Sequence, residues 1–161
     1  MRIVSDAGPI IGYARTGYLH LLQGIFGEVL IPEQVEREIL AGGDRPGARE
    51  IREFDWIRTV AINNQRTFES CRAHLGSGES AAIALAEELQ LPLLLEDGAG
   101  RRTARTFKVP VVIGTKTVAE EALHQQLIPR ASDLLEALRF QRYRLSKAVV
   151  NEILTQVAQP H

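Results

Sequence analysis

Cysteine is close to absent from this 161-residue chain. Cys71 stands alone, which excludes an intramolecular disulfide. A reducing, cytoplasmic setting is the expectation that follows. Long apolar runs are missing too, pieces such as Ala81–Ala86 and Leu91–Leu95 falling far short of the ~20 residues that a bilayer-spanning helix needs. No membrane partner is expected. The first apolar run is broken by Asp6 and then by Gly8-Pro9, so nothing there reads as a secretory leader. A dominant charge of one sign is also lacking, since 19 Lys and Arg stand against 20 Asp and Glu. That balance excludes a protein that coats nucleic acid by net charge, and any polyanion must be held by a local patch.

What is present is a chain of 45% hydrophobic residues whose length suits one domain, residues 1–161. Short β-like runs alternate with segments of helical periodicity, the pattern of βαβ units and a mostly parallel sheet. Five strands are expected, at Arg2–Ser5, Glu28–Ile31, Ile57–Ile62, Leu93–Glu96 and Val109–Ile113. Helices are expected at Pro9–Arg15 and Leu19–Gln23, from Pro32 to about Leu40, and from Ser77 to before Pro92. A helical tail follows an α/β core of residues 1–116, with segments at Thr117–Leu127, Ser132–Phe140 and Ser146–Ala158. Leu134, Leu135 and Leu138 form a stripe in that tail that reads as intramolecular core.

Ligands of open parallel sheets bind beyond the carboxyl ends of the strands, so the polar residues there carry the functional question. Asp6 directly follows the first strand and Asp97 directly follows Leu93–Glu96. Right-handed crossovers would stack strands two and three on one side of strand one and leave its other side to strand four. The resulting order is 3-2-1-4-5, with Asp6 and Asp97 on the two lips of the switch crevice. Glu79, in the first turn of the helix feeding strand four, should reach the same edge. From the helix after strand two come Glu33, Glu36 and Glu38. If Val35 and Ile39 are its buried stripe, Glu36 and Glu38 flank that stripe about equally, and periodicity does not choose between them.

Taken singly, each acid has an ordinary role as a turn residue, a helix cap or a complement to a helix dipole. Together they would repel one another unless hard cations sat among them. A cluster without His or Cys points to magnesium or manganese, and such a site suits phosphodiester hydrolysis.

Four segments carry a resemblance: Ser5-Asp6-Ala7-Gly8-Pro9-Ile10-Ile11, Ile31-Pro32-Glu33-Gln34-Val35-Glu36-Arg37-Glu38, Leu75-Gly76-Ser77-Gly78-Glu79-Ser80-Ala81-Ala82-Ile83-Ala84-Leu85-Ala86 and Leu95-Glu96-Asp97-Gly98-Ala99-Gly100-Arg101. In this order they resemble the PIN-domain proteins, most closely the bacterial and archaeal branch related to VapC-type toxins. The resemblance implies a three-layer α/β/α fold and a Mg2+- or Mn2+-dependent endoribonuclease. It implies Asp6, Glu38, Glu79 and Asp97 as the catalytic acids, with Glu38 selected over Glu36. Asp6, Asp97 and Glu79 would be the metal ligands, and Thr115 would orient a water or a carboxylate. A small antitoxin and a homodimer are the implied partners besides RNA. Members of the family frequently carry a hydroxyl after the first aspartate and another acid after the last, where this chain has Ala7 and Gly98. That departure supports an alternative, a weak or inactive PIN scaffold that binds RNA or a protein.

Arg101, Arg102, Arg105 and Lys108 follow Asp97 with no acid before Glu120, and 101, 105 and 108 would share a helix face. With Thr115 and Lys116, Arg101 and Arg105 are the expected substrate contacts, holding the RNA backbone beside the acids. Only Phe107 among the aromatics lies near, so base stacking is not expected. A phosphoacceptor receiver would want an acid pair after strand one, where only Asp6 stands, and a dinucleotide site would want a ribose-binding acid after strand five, where Gly114 follows Ile113.

Overall fold

All five expected strands pair in one fully parallel sheet, seen in a computed structural model that describes residues 1–141, 143 and 145–157. They are β1 (Arg2–Ser5), β2 (Glu28–Pro32), β3 (Ile57–Val60), β4 (Leu93–Leu94) and β5 (Val112–Ile113), in the order β3-β2-β1-β4-β5. Parallel strands buried on both faces need apolar side chains at every position, and alternate positions point into opposite layers. Ile3, Val29, Ile31, Ile57, Leu94 and Ile113 enter one core, and Val4, Leu30, Leu93 and Leu95 enter the other.

Helices close both faces. Over the first core lie α1 (Ala7–Thr16), α2 (His20–Phe26), α8 (Thr115–His124) and α9 (Ala131–Phe140), with Tyr13, Leu22, Val118 and Leu134 fully buried. Over the second lies α6 (Ser77–Leu89), where the run Ala81–Ala86 is fully buried and its small side chains let the helix sit close to the sheet. The helices α3 (Glu33–Leu40) and α4 (Ala48–Glu53) connect β2 to β3, α5 (Gln65–Arg72) leads from β3 into α6, and α7 (Gly98–Ala104) connects β4 to β5. Val35 and Ile39 are the buried stripe of α3, and Leu134, Leu135 and Leu138 are core.

Several expectations need correction. Pro32 caps α3 as the last residue of β2 rather than opening the helix, and the paired residues of β4 end at Leu94, with the Leu95 amide still donating to the Ile113 carbonyl at 3.0 Å. The helices α4 and α5 were not foreseen. The tail ends in α10 (Lys147–Glu152), whose N-cap Ser146 accepts from the Val149 amide at 3.1 Å, followed by a π-helical turn, Ile153–Val157. Ala158, the expected end of that helix, lies outside the described residues. No helix among the described residues is long and apolar enough to cross a membrane.

Candidate functional site

The reversal of strand order between β1 and β4 opens a crevice, and the chain carries an acid past each of those strand ends. Asp6 follows β1 as the N-cap of α1, and its amide donates across the strand junction to the Leu94 carbonyl at 3.1 Å. Asp97 is the N-cap of α7, with Oδ2 accepting from the Gly100 amide at 2.8 Å. That bond is the ordinary capping role. Asp6 makes no such cap bond, and its Oδ1 is buried without a partner. Glu79 stands in the first turn of α6 and Glu38 in the last turn of α3.

Two glycines record how closely the acids approach. A Cβ on Gly78 would press on Glu38 Oε2 and stand 3.5 Å from Asp6 Oδ1. A Cβ on Gly100 would lie 2.7 Å from Glu79 Oε2 and 3.5 Å from Asp97 Oδ2. The structure therefore brings Asp6, Glu38, Glu79 and Asp97 to one place, paired across two bare backbones. Glu36 turns away, its Oε2 accepting from the Thr59 hydroxyl at 2.5 Å.

Crowding shows in the protonation equilibria. Burial pushes the Asp6 carboxyl up to about 6, with the negative charges of Glu38 and Asp97 adding to the rise and the Ala7 and Gly8 amides opposing it. Glu79 is pushed up to about 7, first by burial and then by Asp6, Asp97 and Glu38. Its Oε2, like Asp6 Oδ1, is buried with no partner among the described residues. Such oxygens carry a desolvation penalty that a proton or a cation would relieve.

The donor chemistry fits a hard cation: every group is a carboxylate and two oxygens wait unsatisfied. The arrangement is not a cage. Among the described residues, no group of three or more His, Cys, Asp or Glu is placed to hold a metal ion. Magnesium is commonly held through one or two carboxylates with waters completing its shell, so Asp6 with Asp97 or Glu79 suffices for that mode and not for a tighter one.

The expected substrate contacts divide. Arg105 is exposed at the C-cap of α7, and Lys108 lies beyond it, so α7 ends too early for 101, 105 and 108 to share a helix face. Arg101 turns inward, its Nη1 donating to the Leu95 carbonyl at 2.9 Å and its charge lowering the pKa of Glu96. Lys116 is 3.7 Å from both Glu120 and Glu152. Thr115 is 1% exposed and sits behind the crevice: its amide donates to Glu96 Oε2 at 3.0 Å and its hydroxyl pairs with the Tyr13 hydroxyl at 2.9 Å. It positions a carboxylate and does not face solvent.

Sequence reasoning missed three residues of this region. Glu96 was assigned to a strand, yet it is held beside the crevice by Thr115 and raised in pKa by burial. Its signal was an acid at the end of an apolar run. Gln34 and Tyr143, each with a buried polar atom that has no partner, line the two cavities that meet at Asp6. The larger, about 390 Å³, runs from Asp6, Glu96 and Asp97 along α1 to Arg15, and the smaller, about 270 Å³, lies between Asp6, Glu38 and Glu79.

Comparison with protein families gives a match over residues 2–159 to a model described as a PIN domain. No curated protein matches the chain.

Proposed function

Because the chain belongs to the PIN-domain family, we propose that it is an RNA-handling protein of low catalytic capacity, whose acidic crevice takes a hydrated Mg2+ or Mn2+ and hydrolyses RNA phosphodiesters slowly. The observation that carries this reading is the meeting of Asp6, Glu38, Glu79 and Asp97 across Gly78 and Gly100, with two buried oxygens left unsatisfied. Asp6 and Asp97 would be the direct ligands and Glu79 would complete the set. When bound, the cation would neutralise a phosphate oxygen and make an attacking water more acidic. Before that, Asp6 and Glu79 retain protons at a pH where isolated carboxyls have lost them, so metal entry must displace protons. Glu38, exposed on the last turn of α3, is left to orient or accept a proton from water at the mouth. Arg105, exposed at the C-cap of α7, would meet the RNA backbone, with Lys116, ion-paired to Glu120 and Glu152, as a second basic contact.

A second reading keeps RNA binding and drops hydrolysis. It is favoured by the lack, among the described residues, of a three-ligand metal group, and by Ala7 and Gly98 in place of polar neighbours. The test is incubation of pure protein with single-stranded and structured RNA in Mn2+, beside Asp97→Asn. Slow cleavage by the parent alone supports the first reading; binding without cleavage selects the second; neither binding nor cleavage defeats both. A toxin role, with an antitoxin covering the crevice and a homodimer as the assembly, is supported by the sequence resemblance alone.

A further inference from the structure

The larger cavity beside the acids is of a size that small ligands occupy and is lined by both apolar and charged groups. Its volume of about 390 Å³ lies in the range of roughly 300–1,000 Å³ that small-ligand sites occupy. One wall is α1, where Gly8 and Ile11 offer a flat apolar surface, and the other is the segment after α9, with Gln141 and the ring of Tyr143. That wall is built to stay: Gly12 has no side chain because the Tyr143 ring lies against its backbone, where a Cβ would collide with the ring carbons. The inner end is lined by carboxylates, Glu96 and Asp97 with Asp6 beside them, and the outer rim carries the exposed Arg15.

We propose that this cavity accepts one unstacked RNA base, guanine in preference, from the nucleotide next to the phosphate held at the acids. The inference rests on the RNA-handling function proposed above and names its recognition element. Ionised carboxylates only accept hydrogen bonds, and guanine is the base whose Watson–Crick edge donates twice in parallel, from its N1–H and its amino group. Uracil offers a single donor between two carbonyls and meets the same lining with acceptor against acceptor. Arg15 at the rim then faces the neighbouring phosphate. Insertion requires a base already free of a partner, so single strands are preferred to duplex.

Gly8 supplies a clean test, because a Cβ there meets nothing within 4 Å and a larger side chain would occupy the cavity without crowding the fold. The experiment measures fluorescence anisotropy of a labelled uridine hexamer and of the same hexamer with one central guanine, in metal-free buffer of low ionic strength, so that binding is read without cleavage. The parent protein should bind the guanine-containing strand about tenfold more tightly. Gly8→Leu should abolish that preference while retaining the parent's thermal transition, and Arg15→Ala should weaken both strands alike. Equal binding of the two strands by the parent, or a preference that survives Gly8→Leu, overturns the cavity assignment; cleavage lost in Asp97→Asn would then leave the proposed function standing. Binding of neither strand overturns the cavity assignment, and cleavage in Mn2+ that is lost in Asp97→Asn would again leave the proposed function standing.

Discussion

Metal-free protein should lose stability as the pH rises from about 5 to about 8, the reverse of the ordinary behaviour of a carboxylate held in an ion pair. Asp6 titrates near 3.8 in an unfolded chain and at about 6 in the fold, a difference equivalent to about 3 kcal/mol over the whole range. The sign follows from which state holds the proton. Below its unfolded value Asp6 is protonated in both states and the full advantage is present; as pH passes through the folded value the native state must accept a buried charge, and the advantage disappears. About 1.4 kcal/mol of it falls between pH 5 and pH 8. Glu79, raised from 4.5 to about 7, acts in the same direction by an amount that solvent screening reduces. For a domain of this size the Asp6 share alone corresponds to a fall in Tm of roughly 3–6 °C. Glu87 acts oppositely, its pKa being lowered by Thr67, Lys108 and Asn64 bonds that outweigh its burial, but its contribution is lost only as pH falls through that lowered value, below the window. Differential scanning calorimetry in chelator at several pH values reads the effect. Asp6→Asn and Glu79→Gln should each flatten the profile, and saturating Mn2+ should restore stability at the high-pH end. A Tm that is flat or rises across this window in the parent would refute the idea that these acids are crowded and unsatisfied.

Gly100→Ala should leave the fold within about 1–2 kcal/mol of the parent, because the nearest atom is the movable end of Glu79, yet reduce the Mn2+-induced rise in Tm by displacing that carboxylate. Tyr13→Phe should cost about 1 kcal/mol in urea unfolding by removing the buried hydroxyl pair with Thr115. Leu94→Ala, at a fully buried strand position next to the crevice, should cost about 2–5 kcal/mol and be visible as a lower urea midpoint. Raising the salt concentration should weaken RNA binding, and Arg105→Ala should make the log–log salt slope shallower by about one charge or less.

The sheet was legible because its strands alternate Val, Ile and Leu between two cores, as Ile3 and Val4 do, and because a long insertion after β1 forces the reversal that puts Asp6 opposite Asp97. Lengths were less legible. β4 and β5 hold two residues each, where apolar composition suggested four and five, since residues such as Leu95 stay in the core beyond the paired positions. The helices α4 and α5 escaped notice for a physical reason: they bury only Ala48 in one case and Thr67 and Cys71 in the other, too little to imprint an apolar period. Glu38 and Glu36 were equivalent by helical angle, and the Thr59 hydroxyl that turns Glu36 away is a contact between β3 and α3 that helical periodicity does not reveal. Thr115, expected among the substrate contacts, is buried, because its position at the start of α8 sets it against Tyr13.

The claim on which the account depends is that Asp6 and Asp97, in the crevice where the acids gather, hold a cation. Crystals soaked in Mn2+ and measured at a wavelength where manganese scatters anomalously should show a peak touching Asp6 and Asp97, and none in Asp97→Asn. An empty crevice, or a peak only at carboxylates elsewhere on the surface, would contradict it.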